Sequence, residues 1–364
     1  MLPDAHEFRQ IVSGQAKGLR AAAWRAVFRM AEVPYTLVVR WRNRRYDRAE
    51  AEIRRVPIPV VSVGNITLGG TGKTPMVEWI ARYYRRCGVR VVIVSRGYGA
   101  EQGALNDEGR QLEQRLPDVP HLQSPDRVAA AELDIEELAA ELVLLDDGFQ
   151  HRRLARDLDI VMLDAEAPFG YGHVFPRGML REPADGLRRA HVVVLSRADR
   201  VQPAQREWVR DQVWRLAPRA LWAETFHAPR AMVDCHGRCE PAEGLAGRPV
   251  AAFCGIGDPG AFRHTLETLG CQVLALWPFA DHYAYTRADV ERLDSWAATL
   301  DAEAVLCTHK DLVKLGIETL GGRPLRAIVV ELEFLAGRAE LEQRLRELCP
   351  HAPASTLPAP GGTL

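Results

Sequence analysis

The chain has 364 residues, of which 47% are hydrophobic and 26% charged, with a formal net charge of −1. This content supplies a packed core and excludes wholesale disorder. The balanced charge excludes a general binder of polyanions, nucleic acid included, and the length suits two domains.

Met1–Glu7 carry neither a basic nor an apolar signal-peptide region, so no cleaved leader is expected. Residues 17–45 stand apart. Lys17, Arg20, Arg25, Arg29, Arg40, Arg42, Arg44 and Arg45 face one acid, Glu32, and alternate with Leu19, Trp24, Phe28, Met30, Val33, Leu37 and Trp41. The spacing predicts a basic amphipathic helix within a segment 1–55. It suits either an anionic membrane surface or docking on the protein's own body, and the two are compatible. No apolar run reaches the roughly 18 residues that cross a bilayer.

From residue 56 short β-branched runs alternate with helical stretches. Strands are predicted at 58–63, 90–95, 141–145, 159–163 and 191–195, and helices at 75–86, 126–138 and 203–216. Such alternation implies crossover units and a mostly parallel sheet over 56–227, with ligands beyond the carboxyl ends of the strands. Residues 228–248 turn to Pro, Gly and Cys and read as a linker. Within it, Cys235-His236-Gly237-Arg238-Cys239 lacks a second ligand pair and reads as a turn with free thiols rather than a metal clip. The seven scattered cysteines predict no disulfide framework and favour a reducing compartment. A second, smaller α/β set spans 249–350, and the Pro- and Gly-rich tail 351–364 reads as disordered.

Two motifs carry chemistry. After the first strand come Thr67-Leu68-Gly69-Gly70-Thr71-Gly72-Lys73-Thr74 and then a helix, a Walker A arrangement. Its glycines expose backbone N–H groups to phosphate, Lys73 bridges the outer phosphates, and the Thr74 hydroxyl suits Mg²⁺. Thr67 departs from the usual glycine, and a positive φ there would be strained. The strand 141–145 ends in Asp146-Asp147, a Walker B arrangement in which one of the two acids serves the metal; the sequence does not separate them. Gln150 and His151 line the same mouth.

These residues resemble the tetraacyldisaccharide 4'-kinases. The matching stretches are Val63–Pro75, Ser95–Gly99, Asp126-Arg127, Leu145–Arg152, Pro176–Pro183, Gly255–Pro259 and Phe279–Tyr283. The resemblance implies an α/β fold with a large P-loop NTPase-type lobe, a second smaller α/β lobe, and an N-terminal membrane-associating helix. It implies transfer of the γ-phosphate of MgATP to the 4'-hydroxyl of a tetraacylated glucosamine disaccharide 1-phosphate. The location implied is the cytoplasmic face of the inner membrane, peripheral or monotopic, with the site in a cleft between the lobes. The family's base maps onto Asp107, although Asn106-Asp107-Glu108-Gly109 departs from its usual surroundings, and the base's histidine partner maps onto His282. Tyr98, Arg127, Gln150, His151, Arg181 and Glu182 are the substrate-side candidates. Ser196-Arg197-Ala198-Asp199 loosely mimics a guanine-reading element, so a membrane-recruited NTPase switch is the alternative, with a soluble small-metabolite kinase behind it.

Overall fold

The computed structural model describes residues 3–97, 109, 112–113, 115–280 and 283–349. The chain divides into two units, one formed by residues 1–226 with 334–364 and the other by 227–333.

The first unit opens with helices α1 (Ala5–Val12) and α2 (Leu19–Asp47). The expected amphipathic helix is therefore present, two residues further along than its charged window, and preceded by a short helix that the pattern did not show. α1 starts at Asp4, whose carboxylate accepts from the Glu7 N–H. The helices join through Phe8, Ile11, Ala21 and Phe28. α2 continues through Pro34, which lacks the N–H for an i→i−4 bond.

Two faces of α2 differ. Phe28 and Val39 are buried. On the same side Glu32 accepts from the Val174 N–H and pairs with Arg177, Asn43 donates to Glu182, and Asp47 pairs with Arg152 and Arg188. On the opposite side Met30, Val33, Leu37 and Trp41 are all exposed. Their spacing of three, four and four residues makes them one stripe.

The sheet of this unit runs β7-β6-β5-β1-β4-β2-β3, with β1 at Val60–Asn65, β2 at Val91–Ser95, β3 at His121–Gln123, β4 at Leu142–Asp146, β5 at Leu158–Asp164, β6 at Val192–Ser196 and β7 at Leu221–Val233. Its neighbouring strands pair in parallel throughout. All six residues of β1 are buried, as a central strand covered on both faces requires, hence its unbroken apolar reading. α3 (Lys73–Arg86), α4 (Arg127–Leu138) and α5 (Pro203–Leu216) supply the cover; Val128 and Ala131 pack with Val92, Val94 and Val143, while Val209 and Val213 pack with Val161, Leu163 and Val193. The carboxyl ends of β1, β4, β5 and β6 place Asn65, Asp146, Asp164 and Ser196 along one edge.

The final helix, α9 (Arg338–Leu348), was expected in the smaller lobe. It belongs to the first unit, where the hydroxyls of Tyr83 and Tyr84 on α3 donate to the Glu342 and Leu345 carbonyls. Periodicity identifies such a helix but not the body it closes on.

The second unit carries the parallel order β10-β9-β11-β12, with β9 at Pro249–Cys254, β10 at Gln272–Pro278, β11 at Ala304–Thr308 and β12 at Arg323–Ala336. α6 (Pro259–Thr268), α7 (Arg287–Ala298) and α8 (His309–Leu315) accompany them. The expected linker is here the end of β7 and its antiparallel partner β8 (Cys239–Pro241). His236 pairs with Glu318, and Cys235 lies beside them. Three donors, two already spent on each other, fall short of a closed four-ligand metal site. Asp311 is buried and accepts from the Gly255 N–H, Thr308 and Tyr285. It ties three segments of this unit together.

Candidate active site

The phosphate loop joins β1 to α3. Gly69 and Gly72 hold φ of 101° and 78°, a region open to glycine and costly for other residues. The Asn65 side chain, buried at the end of β1, donates to the Thr71 hydroxyl at 3.0 Å and holds the loop from beneath. Thr67 does not carry the strain expected of it. Among the described non-glycine residues, positive φ occurs at Ala49, Ala139, Asp147, Tyr171 and Arg197 and not at Thr67. Thr67 instead forms an antiparallel bridge with Leu180, where a β-branched residue fits.

That bridge builds the site. The Leu68 N–H donates to the Met179 carbonyl and the Arg181 N–H to the Ile66 carbonyl, each at 2.7 Å. Arg181 is thereby carried to Asp147, and its Nη1 meets both carboxylate oxygens at 2.7 and 2.8 Å. Lys73 Nζ lies 3.6 Å from the same carboxylate. Arg127 at the start of α4 donates to the Asp147 carbonyl at 2.9 Å. Burial raises the Asp147 pKa, but Lys73 and Arg181 outweigh it and hold the carboxyl below its usual range. Asp147 is thus an anion at neutral pH, committed to two cations.

Asp146 has a different place. It ends β4 in register with Val63 of β1 and is 6% exposed. The two acids that the sequence left equivalent are therefore distinct: Asp146 stands at the strand end, whereas Asp147 turns out with φ of 53° to grip Lys73 and Arg181. The Asp146 carboxylate and the Thr74 hydroxyl are hard oxygen donors of the kind Mg²⁺ takes, so the residues present fit that ion.

Gln150 donates to the Asn65 carbonyl at 2.8 Å and to Glu182 at 3.0 Å. Glu182, expected on the substrate side, takes another place. It is fully buried and accepts from Asn43, Gln150 and Arg189. It offers nothing to a ligand and instead ties α2 to the site. Asp107, His282 and Tyr98 lie outside the described residues.

Burial and the neighbouring Arg127, Arg156 and Arg153 lower the His151 pKa from 6.5 to about 4, so its ring is neutral at pH 7. A lowered folded pKa gives stability that is complete above the unfolded value near 6.5 and lost as pH falls toward 4. Thermal melts of the wild type should therefore weaken between pH 6.5 and 4, and His151→Gln should flatten that part of the profile.

The family model for tetraacyldisaccharide-1-P 4'-kinases, LpxK, matches residues 24–350. The chain belongs to this family. It is a kinase, a transferase of lipid A biosynthesis. The tetraacyldisaccharide 4'-kinase of Anaeromyxobacter dehalogenans strain 2CP-C is 40% identical over 358 residues, covering 90% of this chain and 94% of that one. The enzyme of Desulfatibacillum aliphaticivorans is 36% identical over 335 residues, 85% of this chain and 89% of the relative. In three dimensions the chain is similar to a crystal structure of LpxK from Aquifex aeolicus in complex with ATP. The TM-score is 0.69 at 29% identity, over 89% of this chain and 99% of that one. The nucleotide-switch alternative is thereby set aside.

Sequence reasoning missed Asn65 and Arg197, which hold the phosphate loop, and Arg189, which pairs with the buried Glu182. Asn65 stands just after the strand predicted at 58–63, in the Val63–Pro75 stretch that matches the family, and was given no role of its own. Arg197 was read as a poor guanine-reading element, yet it donates to the Gly70 carbonyl of the phosphate loop.

Proposed function

We propose that the chain transfers the γ-phosphate of ATP to the 4'-hydroxyl of a tetraacylated glucosamine disaccharide 1-phosphate at an anionic membrane surface. The observation that carries this is the phosphate loop with Lys73 held at the carboxyl end of the sheet by Asp147. Phosphate transfer calls mainly for positioning and charge neutralisation. The loop amides hold the outer phosphates, and Lys73 exchanges Asp147 for the γ-phosphoryl oxygens. Arg181 keeps Asp147 paired when Lys73 leaves it. Thr74 and Asp146 would hold Mg²⁺, which supplies positive charge to the phosphates when bound. Asp107 accepts the proton of the attacking sugar hydroxyl, with His282 as its partner. Arg127 and His151 serve the substrate side of the mouth in this reading, and the family resemblance assigns Tyr98 to the same task. The test follows label from γ-phosphate into the disaccharide lipid. Transfer that depends on this acceptor supports the reading, whereas hydrolysis indifferent to the acceptor overturns it.

The exposed stripe of α2 supports the membrane part. No helix among the described residues is long and apolar enough to cross a membrane, so α2 would lie in the headgroup layer. Met30, Val33, Leu37 and Trp41 enter the acyl boundary while Arg40 and Arg45 meet anionic headgroups; the Arg45 guanidinium already stacks 5.2 Å from the Trp41 ring. The acceptor's acyl chains make this necessary, because each CH₂ drawn into water costs about 0.8 kcal/mol. The Leu37→Glu, Trp41→Glu double variant should lose sedimentation with anionic vesicles and raise the KM for lipid acceptor, leaving the KM for ATP unchanged. Equal sedimentation of variant and wild type would refute it.

A further inference from the structure

We propose that Arg197 is a positioning residue for nucleotide, presetting the phosphate loop by holding the Gly70 carbonyl, with Asp164 aiming Arg197; this rests on the ATP reading above. Arg197 follows β6 in the left-handed conformation, φ 54° and ψ 37°. That costs a residue with a Cβ about 1 kcal/mol or more and persists only where the surroundings impose it. The imposed result is a side chain 14% exposed, with Nη1 on the Asp164 carboxylate and Nη2 3.0 Å from the Gly70 oxygen. Asp164 ends β5 and is fixed by its own turn, where its other oxygen accepts from the Glu166 N–H at 3.0 Å.

Peptide geometry gives this chain of contacts a consequence. In a planar trans peptide the carbonyl and the following N–H point in opposite directions. Holding the Gly70 carbonyl toward Arg197 therefore turns the Thr71 N–H away from Arg197. Asn65 in turn holds the Thr71 hydroxyl. Between these anchors the Gly70–Thr71 peptide has one orientation, although Gly69 and Gly70 would otherwise let it rotate freely. A phosphate site of backbone amides needs that orientation before ligand arrives, since ordering it on binding would subtract from affinity. Arg197 touches the loop backbone, so its effect falls on nucleotide and not on the lipid acceptor.

The test measures ATP binding and steady-state kinetics for the full-length enzyme and for Arg197→Lys, Arg197→Ala and Asp164→Asn. Arg197→Ala should raise the Kd and KM for ATP about tenfold or more, with the KM for the disaccharide lipid within twofold of wild type. Asp164→Asn decides the mechanism. Deleting a negative charge near the loop should tighten ATP binding if only the local field matters. It should weaken binding several-fold if aiming Arg197 matters, and Arg197→Lys, which cannot serve both partners with one fork, should do the same. Unchanged ATP binding in Arg197→Ala, tighter binding in Asp164→Asn, or a rise in both substrates' KM together with a lowered melting midpoint would overturn the proposal. Wild-type protein that binds no ATP removes the nucleotide reading itself, an outcome distinct from any of these.

Discussion

Lys73→Ala is expected to lower phosphate transfer about a thousandfold, with little change in stability. The magnitude follows from the state of the reaction that Lys73 serves. Negative charge builds on the γ-phosphoryl oxygens as the transfer proceeds, and a preplaced cation there acts in a site from which water is excluded. Losing a single neutral hydrogen-bond donor at such a position costs about 10²–10³ in rate, and losing a full charge costs about 10³–10⁵. Folding should survive because Asp147, the partner left behind, keeps Arg181 on both oxygens and Arg127 on its carbonyl. Lys73→Arg should not restore the rate, since the planar guanidinium is bulkier than the ammonium that fits the loop. The measurement is transfer of label from γ-phosphate, run beside a thermal melt. A rate within tenfold of wild type would place the catalytic cation elsewhere.

Glu182→Ala should be among the most destabilising single substitutions in the first unit, by about 3–5 kcal/mol, the usual cost of removing one partner from a buried ion pair. Arg189 lies within 2.9 Å of both Glu182 oxygens and has a side chain only 12% exposed. Without the carboxylate its charge stays buried, with the ring of Phe149, 4.6 Å away, as a weak substitute. The substitution also frees Asn43 of α2 and Gln150. Glu182→Gln fills the same space but aims amide hydrogens at donors, so it should also destabilise. Denaturant titration of the Ala and Gln variants checks the stability claim. At temperatures where both stay folded, activity should fall as well, because Gln150 also holds the Asn65 carbonyl beneath the loop. A denaturation midpoint equal to wild type would show that Glu182 carries no such load.

Much of the first unit was legible because its physics is local. A parallel strand covered on both faces must be apolar along its whole length, so β1, β2, β4, β5 and β6 appeared as unbroken runs with edges right to within a residue or two. A phosphate loop needs glycines, a lysine and a hydroxyl in fixed order between strand and helix, and residues 67–74 spell that order out. Legibility failed where the deciding neighbour is far along the chain. The roles of Asp146 and Asp147 separate only when Arg181, 34 residues away, arrives on one of them. Glu182 looked like a ligand contact because nothing in its sequence announces Arg189 and Asn43 closing over it. The 228–248 stretch read as linker because turn residues dominate its composition, while β8 is fixed by pairing with β7.

By itself, then, the amino-acid order determined the phosphate loop, the alternation of strand and helix, the acid-ended β4 and the two-sided character of α2, since each depends on residues within a few positions of one another. The tertiary structure alone decided which carboxylate holds Lys73, which arginine braces Gly70, and which face of α2 is spent on Glu32, Asn43 and Asp47 rather than left exposed. The reason is electrostatic and steric: what a charged side chain does is set by the partner that desolvates and neutralises it, and folding brings that partner from a strand or helix that sequence spacing does not identify.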